Sequence, residues 1–94
     1  MDQYMTLNDI SVGESAVVRE IAVDGSIKSR FHDIGLVEGT RVRCELISPL
    51  GDPIAFDIRG ALIAIRREDA RGIAVEPCYL EQPAALEVEN EGIK

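Results

Sequence analysis

A short amphipathic segment that stops at a glycine and turns at once into a strand constrains this chain more than any other feature. Within Ser26 to Thr40, Ile27, Phe31 and Ile34 fall at i, i+4 and i+7, one apolar stripe on a 3.6-residue period. Asp24 or Ser26 can cap the start, because a short side-chain oxygen accepts one of the orphan N–H groups there. Gly35 stands where the helix must end, since a residue without Cβ enters the left-handed cap conformation at little cost. Leu36 can fold back on the last turn. Gly39 and Thr40 then make a second tight turn into Arg41–Ser48. Two glycines around a short apolar link fix an angle, and that angle decides how the helix covers the strands.

The flanking segments read as strands. Glu14 to Val23 is rich in β-branched residues, with Ala16 and Val18 on one parity and Val17, Ile21 and Val23 on the other. A bulge near Arg19-Glu20 reconciles the two parities, because so small a chain has little material to cover both faces. Val42, Cys44 and Leu46 alternate with Arg41, Arg43 and Glu45, and Ile54, Phe56 and Ile58 point inward in the clearest strand. Pro49 to Pro53 forms a rigid loop between them. Gly60-Ala61 matches a glycine-first type II′ hairpin turn into Leu62–Arg66. Arg67 to Arg71 spans about one turn, short enough for a 3₁₀ element, and Ile73-Ala74-Val75 closes the set. Met1 to Met5 reads as a loose lead-in. Five short strands with one helix inserted after the first make a mostly β domain, a small five-stranded barrel that closes its own edges.

Composition narrows the function classes. The 94 residues make one domain, near the size where folding buries only about 60–65% of the unfolded surface. Hydrophobic residues are 46% but aromatics only 4%, so the core must be aliphatic. A net charge of −7 argues against nucleic acid and anionic membranes as partners. No apolar run approaches eighteen residues, and the N-terminus lacks the basic-then-apolar pattern expected of a secretion signal. Cys44 and Cys78 form no CxxC pair, which favours a reduced, cytoplasmic setting. Residues 77–94 form an acidic tail with Glu81, Glu87, Glu89 and Glu91 against Lys94. There Leu86, Val88 and Ile93 interleave with the glutamates, as in a disordered segment or one that docks weakly on a neighbour.

Catalytic and metal chemistry find little support. His32 shares a helix side with Lys28, and a nearby cation disfavours metal loading, so it reads as an ordinary surface residue. Cys44 sits on the inward parity as a small hydrophobe. Cys78 is the more exposed thiol, yet it has no adjacent ligand, so spacing makes no metal site and no cofactor is expected. No nucleophile–base pairing, phosphate loop or dinucleotide fingerprint is present. Asp52 and Asp57 are the carboxylates nearest a loop and read as solvated surface. Leu50 differs: it is an apolar side chain at the tip of a stiff loop, which suits binding because little entropy is lost on docking.

Taken together, these segments resemble the ferrous iron transport protein A (FeoA) family. The resemblance runs from about Leu7 to Val75. It rests on Arg30-Phe31-His32-Asp33-Ile34-Gly35-Leu36, on Gly39, and on Pro49-Leu50-Gly51-Asp52-Pro53-Ile54. It continues through Ile63-Ala64-Ile65-Arg66, Glu68-Asp69-Ala70 and Ile73-Ala74-Val75. Glu38 departs from the pattern, since proline is usual before that second glycine, and leaves the turn less rigid. The resemblance implies an SH3-like barrel over residues 6–76, followed by the tail at 77–94. It also implies a non-enzymatic accessory protein of the bacterial cytoplasm. Its expected partner is the cytoplasmic domain of the FeoB-like membrane GTPase permease. Two alternatives stand beside it: a C-terminal domain-like module of a metal-dependent repressor, and a weak iron chaperone on carboxylates and Cys78. A homo-oligomer stays open. The partner-facing surface expected from the stiff loops is Leu50 and Pro53 with Leu36 and Val37, and Arg30 beside them.

Overall fold

The computed structural model describes residues 5–78. Expectations placed on residues 1–4 and on the tail from residue 79 lie outside the described residues. The chain runs β1 (Met5–Thr6), β2 (Ser15–Ile21), α1 (Gly25–Asp33), β3 (Arg41–Ile47), β4 (Ile54–Ile58), β5 (Ala61–Ile65), α2 (Arg67–Ala70) and β6 (Ile73–Pro77), with a 3₁₀ turn at Leu7–Asp9. All pairings are antiparallel, and the sheet order is β1-β6-β2-β3-β4-β5. The fold is mostly β and SH3-like, with six strands where the sequence predicts five. The extra strand lies at the end of the lead-in: Met5 pairs with Val75 and Thr6 with Ala74. Two residues carry no readable period, so only their partner strand reveals them.

The bulge predicted in β2 is present. Pairing with β6 shifts between Val18 and Glu20, which puts Ala16 and Val18, and then Ile21, on the buried side. A second shift breaks the alternation of β3. Pairing of β3 with β4 slips between Cys44 and Leu46, so the inward run ends at Cys44 and Leu46 turns outward, 48% exposed. The hairpin after β4 also differs from the expected Gly60-Ala61 turn. Ile58 stands opposite Ala61, and Arg59 and Gly60 both have positive φ, +53° and +89°. This is the two-residue type I′ geometry, whose twist matches the flanking strands. Arg67–Ala70 is a turn of α-helix rather than 3₁₀.

Among the described residues the core is aliphatic apart from Phe31 and Phe56, and Phe56 is fully buried with Leu7, Val18, Leu36, Val42, Ile54, Ile58, Ile73 and Val75. Each such side chain contributes about 1.5–3 kcal/mol of transfer free energy. The α1 stripe covers one end of this core, with Phe31 buried and Ile27 and Ile34 packed against it. No side-chain cap opens the helix at Asp24; its carbonyl instead accepts from the Lys28 amide at 2.8 Å. The helix ends as the sequence predicts. The Leu36 amide donates to the Phe31 carbonyl at 2.8 Å and the Gly35 amide to the His32 carbonyl at 3.0 Å, with Gly35 at φ +88°. These two bonds form a Schellman motif, which satisfies the last carbonyls of the helix.

Candidate partner-docking surface

The β3–β4 connection is built to be stiff. The Gly51 amide donates to the Ser48 carbonyl at 2.7 Å, and both the Ser48 amide (3.2 Å) and hydroxyl (2.8 Å) donate to the Pro53 carbonyl. From outside the loop, the Arg67 amide donates to Asp52 Oδ1 at 3.0 Å, and Arg67 Nε donates to the Gly51 carbonyl. The first turn of α2 has unsatisfied N–H groups, and the Asp52 carboxylate accepts one of them. Held this way, the loop projects Leu50 into solvent at 94% exposure, while Pro53 is half-buried at its base. Leu46 and Ile47 lead into it, 48% and 38% exposed. Three large apolar side chains therefore reach solvent within one short stretch of chain.

The structure divides the residues that the sequence grouped together. Leu36 is fully buried, because the Schellman turn folds it under the helix; it belongs to the core and not to a partner-facing surface. Val37 is half-buried in the turn that precedes β3, beside Ile21, Lys28, His32 and Glu38, whereas Leu50 follows the strand's end. Seven extended residues span about 20 Å, so Val37 and Leu50 do not share one patch. Arg30 lies with neither in any lining the structure gives. It lines a groove with Ile27, Phe31, Ile65 and Arg66, and the neighbouring Arg67 is the residue that fastens the loop. The large apolar side chains exposed around this loop are thus Leu46, Ile47 and Leu50, with Pro53 half-buried at its base and Arg67 of α2 bonded to it.

Three residues around this loop, Leu46, Ile47 and Arg67, have no place in the surface expected from the sequence. Leu46-Ile47 carried a faint signal, since on a period of two one of two adjacent apolar residues must face outward. Arg67 carried none, because its role depends on a loop sixteen residues away in sequence. Burial pushes the Cys44 thiol up, and Glu45 and Glu14 add to the shift, which removes thiolate at neutral pH. His32 is exposed. Among the described residues no group of three or more His, Cys, Asp or Glu gathers, and no helix is long and apolar enough to cross a membrane.

A model of the FeoA domain matches residues 5–77. This chain belongs to the FeoA family. A relative from Porphyromonas gingivalis, an Fe(2+) transport protein A/Fe(2+) transporter FeoB fusion protein, is 32% identical over 72 residues. That match covers 77% of this chain but only 8% of the relative's length. The solution structure of FeoA from Chlorobium tepidum is 36% identical, with a TM-score of 0.75 over 78% of this chain and 70% of that one. FeoA from Stenotrophomonas maltophilia, a zinc complex described as an SH3 domain protein, is 28% identical with a TM-score of 0.67, over 77% and 89% of the two chains. A manganese-dependent transcriptional repressor shares the fold alone: 21% identity, a TM-score of 0.74, and 83% of this chain against 38% of that one.

Proposed function

We propose that this FeoA-family chain is a non-enzymatic adaptor of bacterial ferrous iron uptake, working in the cytoplasm on the cytoplasmic domain of a FeoB-like membrane GTPase permease. One observation carries the reading: in the Porphyromonas gingivalis relative, the matching domain and an Fe(2+) transporter are one polypeptide. Two domains joined in one chain in a relative favour contact between their separate counterparts, since a linker only raises the effective concentration of a pair that can meet. The barrel at residues 6–76 supplies the docking unit and residues 77–94 form an acidic appendage to it. A rigid loop ending in Leu50 fits this role, because it docks without losing much conformational freedom.

The test is binding of the full chain to the purified cytoplasmic domain of the permease, measured by calorimetry for wild type and Leu50→Asp. An apolar anchor at an interface centre commonly contributes about 2 kcal/mol or more, roughly thirtyfold in Kd. At 94% exposure the same substitution should change folding stability by no more than about 0.5 kcal/mol. No binding by the wild type defeats the adaptor reading. Equal binding by both proteins moves the contact away from Leu50, towards Arg30 and Val37.

A further inference from the structure

On the face away from the core, Arg41 and Arg43 of β3 and Arg59 of the type I′ turn line one open groove of about 270 Å³ with Ser15 and Asp57. Three of the ten basic residues of a chain with net charge −7 thus meet at one place. Asp57, the carboxylate in this lining, accepts the Gly60 amide at 3.0 Å, and Glu45 pairs with Arg43 only loosely, Oε2 to Nε 3.6 Å with both side chains partly exposed. Arg59 is held across the groove's end by its Nε bond to the Gly35 carbonyl at 3.2 Å.

The chain leaves its last strand beside this groove. Pro77 pairs with Ala16, the Cys78 amide donates to the Ser15 carbonyl at 3.0 Å, and Ser15 pairs in turn with Arg43. With strands about 4.8 Å apart, the Cys78 backbone lies about 10 Å from that of Arg43. An extended residue covers at most about 3.3–3.6 Å, so Glu81 already comes within reach. Beyond it, Glu87, Glu89 and Glu91 share one parity. In an extended segment their carboxylates repeat about every 6.7 Å on one side, the spacing at which β3 presents Arg41 and Arg43.

We propose that this arginine groove seats the chain's own acidic C-terminal segment, residues 79–94, through the four glutamates. Exposed pairs of this kind are individually weak and are screened by salt, so the seat forms because the segment is tethered beside it and presents several carboxylates at once. The basic face is thereby covered by the chain itself in the free protein.

The full chain, labelled with ¹⁵N, provides the test. Backbone amide and Arg Nε resonances of Arg41, Arg43 and Arg59 are compared between wild type and a full-length variant with Glu81, Glu87, Glu89 and Glu91 each changed to Gln. Both are recorded at about 0.01 M and about 1 M ionic strength, where the Debye length falls from about 30 to about 3 Å. The proposal expects groove resonances to shift in the Gln variant, and salt to move the wild type the same way while leaving the variant unchanged. A nitroxide at Asn90→Cys, in a Cys78→Ser background, should broaden the groove amides more than Leu50, equally on dilution. Superimposable groove resonances, or shifts confined to the neighbours of Cys78, overturn the proposal. Broadening that disappears on dilution also overturns it, by assigning the contact to a second copy.

Discussion

Replacing Gly35 with alanine tests the joint between helix and barrel, and its cost can be worked from two parts of the structure. Gly35 has φ +88°, where an L-residue with a Cβ costs about 1–2 kcal/mol. A Cβ there would also stand 2.5 Å from Arg59 Cδ and 2.8 Å from Arg59 Nε. Since Arg59 is a flexible side chain, it swings away and gives up its hydrogen bond to the Gly35 carbonyl, about 1 kcal/mol. Gly35→Ala should therefore destabilise by about 2–3 kcal/mol and lower Tm by about 10 °C or more. In an Arg59→Ala background the same change should cost only the backbone part, about 1–2 kcal/mol. That carbonyl keeps its second donor, the Thr40 hydroxyl at 3.0 Å, so Arg59→Ala alone costs about 1 kcal/mol. Urea unfolding followed by circular dichroism of the four proteins closes the cycle. Equal costs of Gly35→Ala in both backgrounds would refute the Arg59 contact. A cost below about 0.5 kcal/mol, the level of an ordinary surface change, would refute the turn geometry itself.

Other consequences are equally direct. Phe56→Ala removes a fully buried aromatic and should cost about 3–5 kcal/mol in the same urea assay; a cost near 1 kcal/mol would mean the core is not packed around it. The Cys44 thiol lies above its ordinary 9.0 in the fold, so its contribution to stability is fully present below pH 9 and is lost as pH rises through the raised value. Cys44→Ala should flatten that alkaline decline, and labelling with a thiol reagent at neutral pH should mark Cys78 well before Cys44; the opposite order contradicts the burial argument. Titration of the monomer with Fe²⁺ or Zn²⁺ should give no stoichiometric site tighter than about micromolar, given the absence of any three-ligand group among the described residues. One tighter site would reopen the chaperone reading.

What the sequence determined by itself is local. Helix α1, its stop at Gly35, the strands at Arg41 and Ile54 and the bulge in β2 all follow from residues a few positions apart. Their period, glycine placement or parity conflict can be satisfied in only one way. The FeoA resemblance is legible for the same reason, since it rests on short segments in a fixed order. Tertiary structure decided everything that depends on which strand lies next to which. It made Met5–Thr6 a strand by pairing it with β6, and it turned Leu46 outward through a register slip that is set by the pairing with β4. It also buried Leu36, expected at a partner surface, because the turn that exposes a loop backbone folds that side chain under the helix. The candidate surface shows the division most plainly. The stiffness of the Pro49–Pro53 loop was written in its prolines and glycine. Its anchoring by Arg67, and its separation from Val37 by the length of β3, arise from contacts between distant parts of the chain, and only the folded sheet brings those parts together.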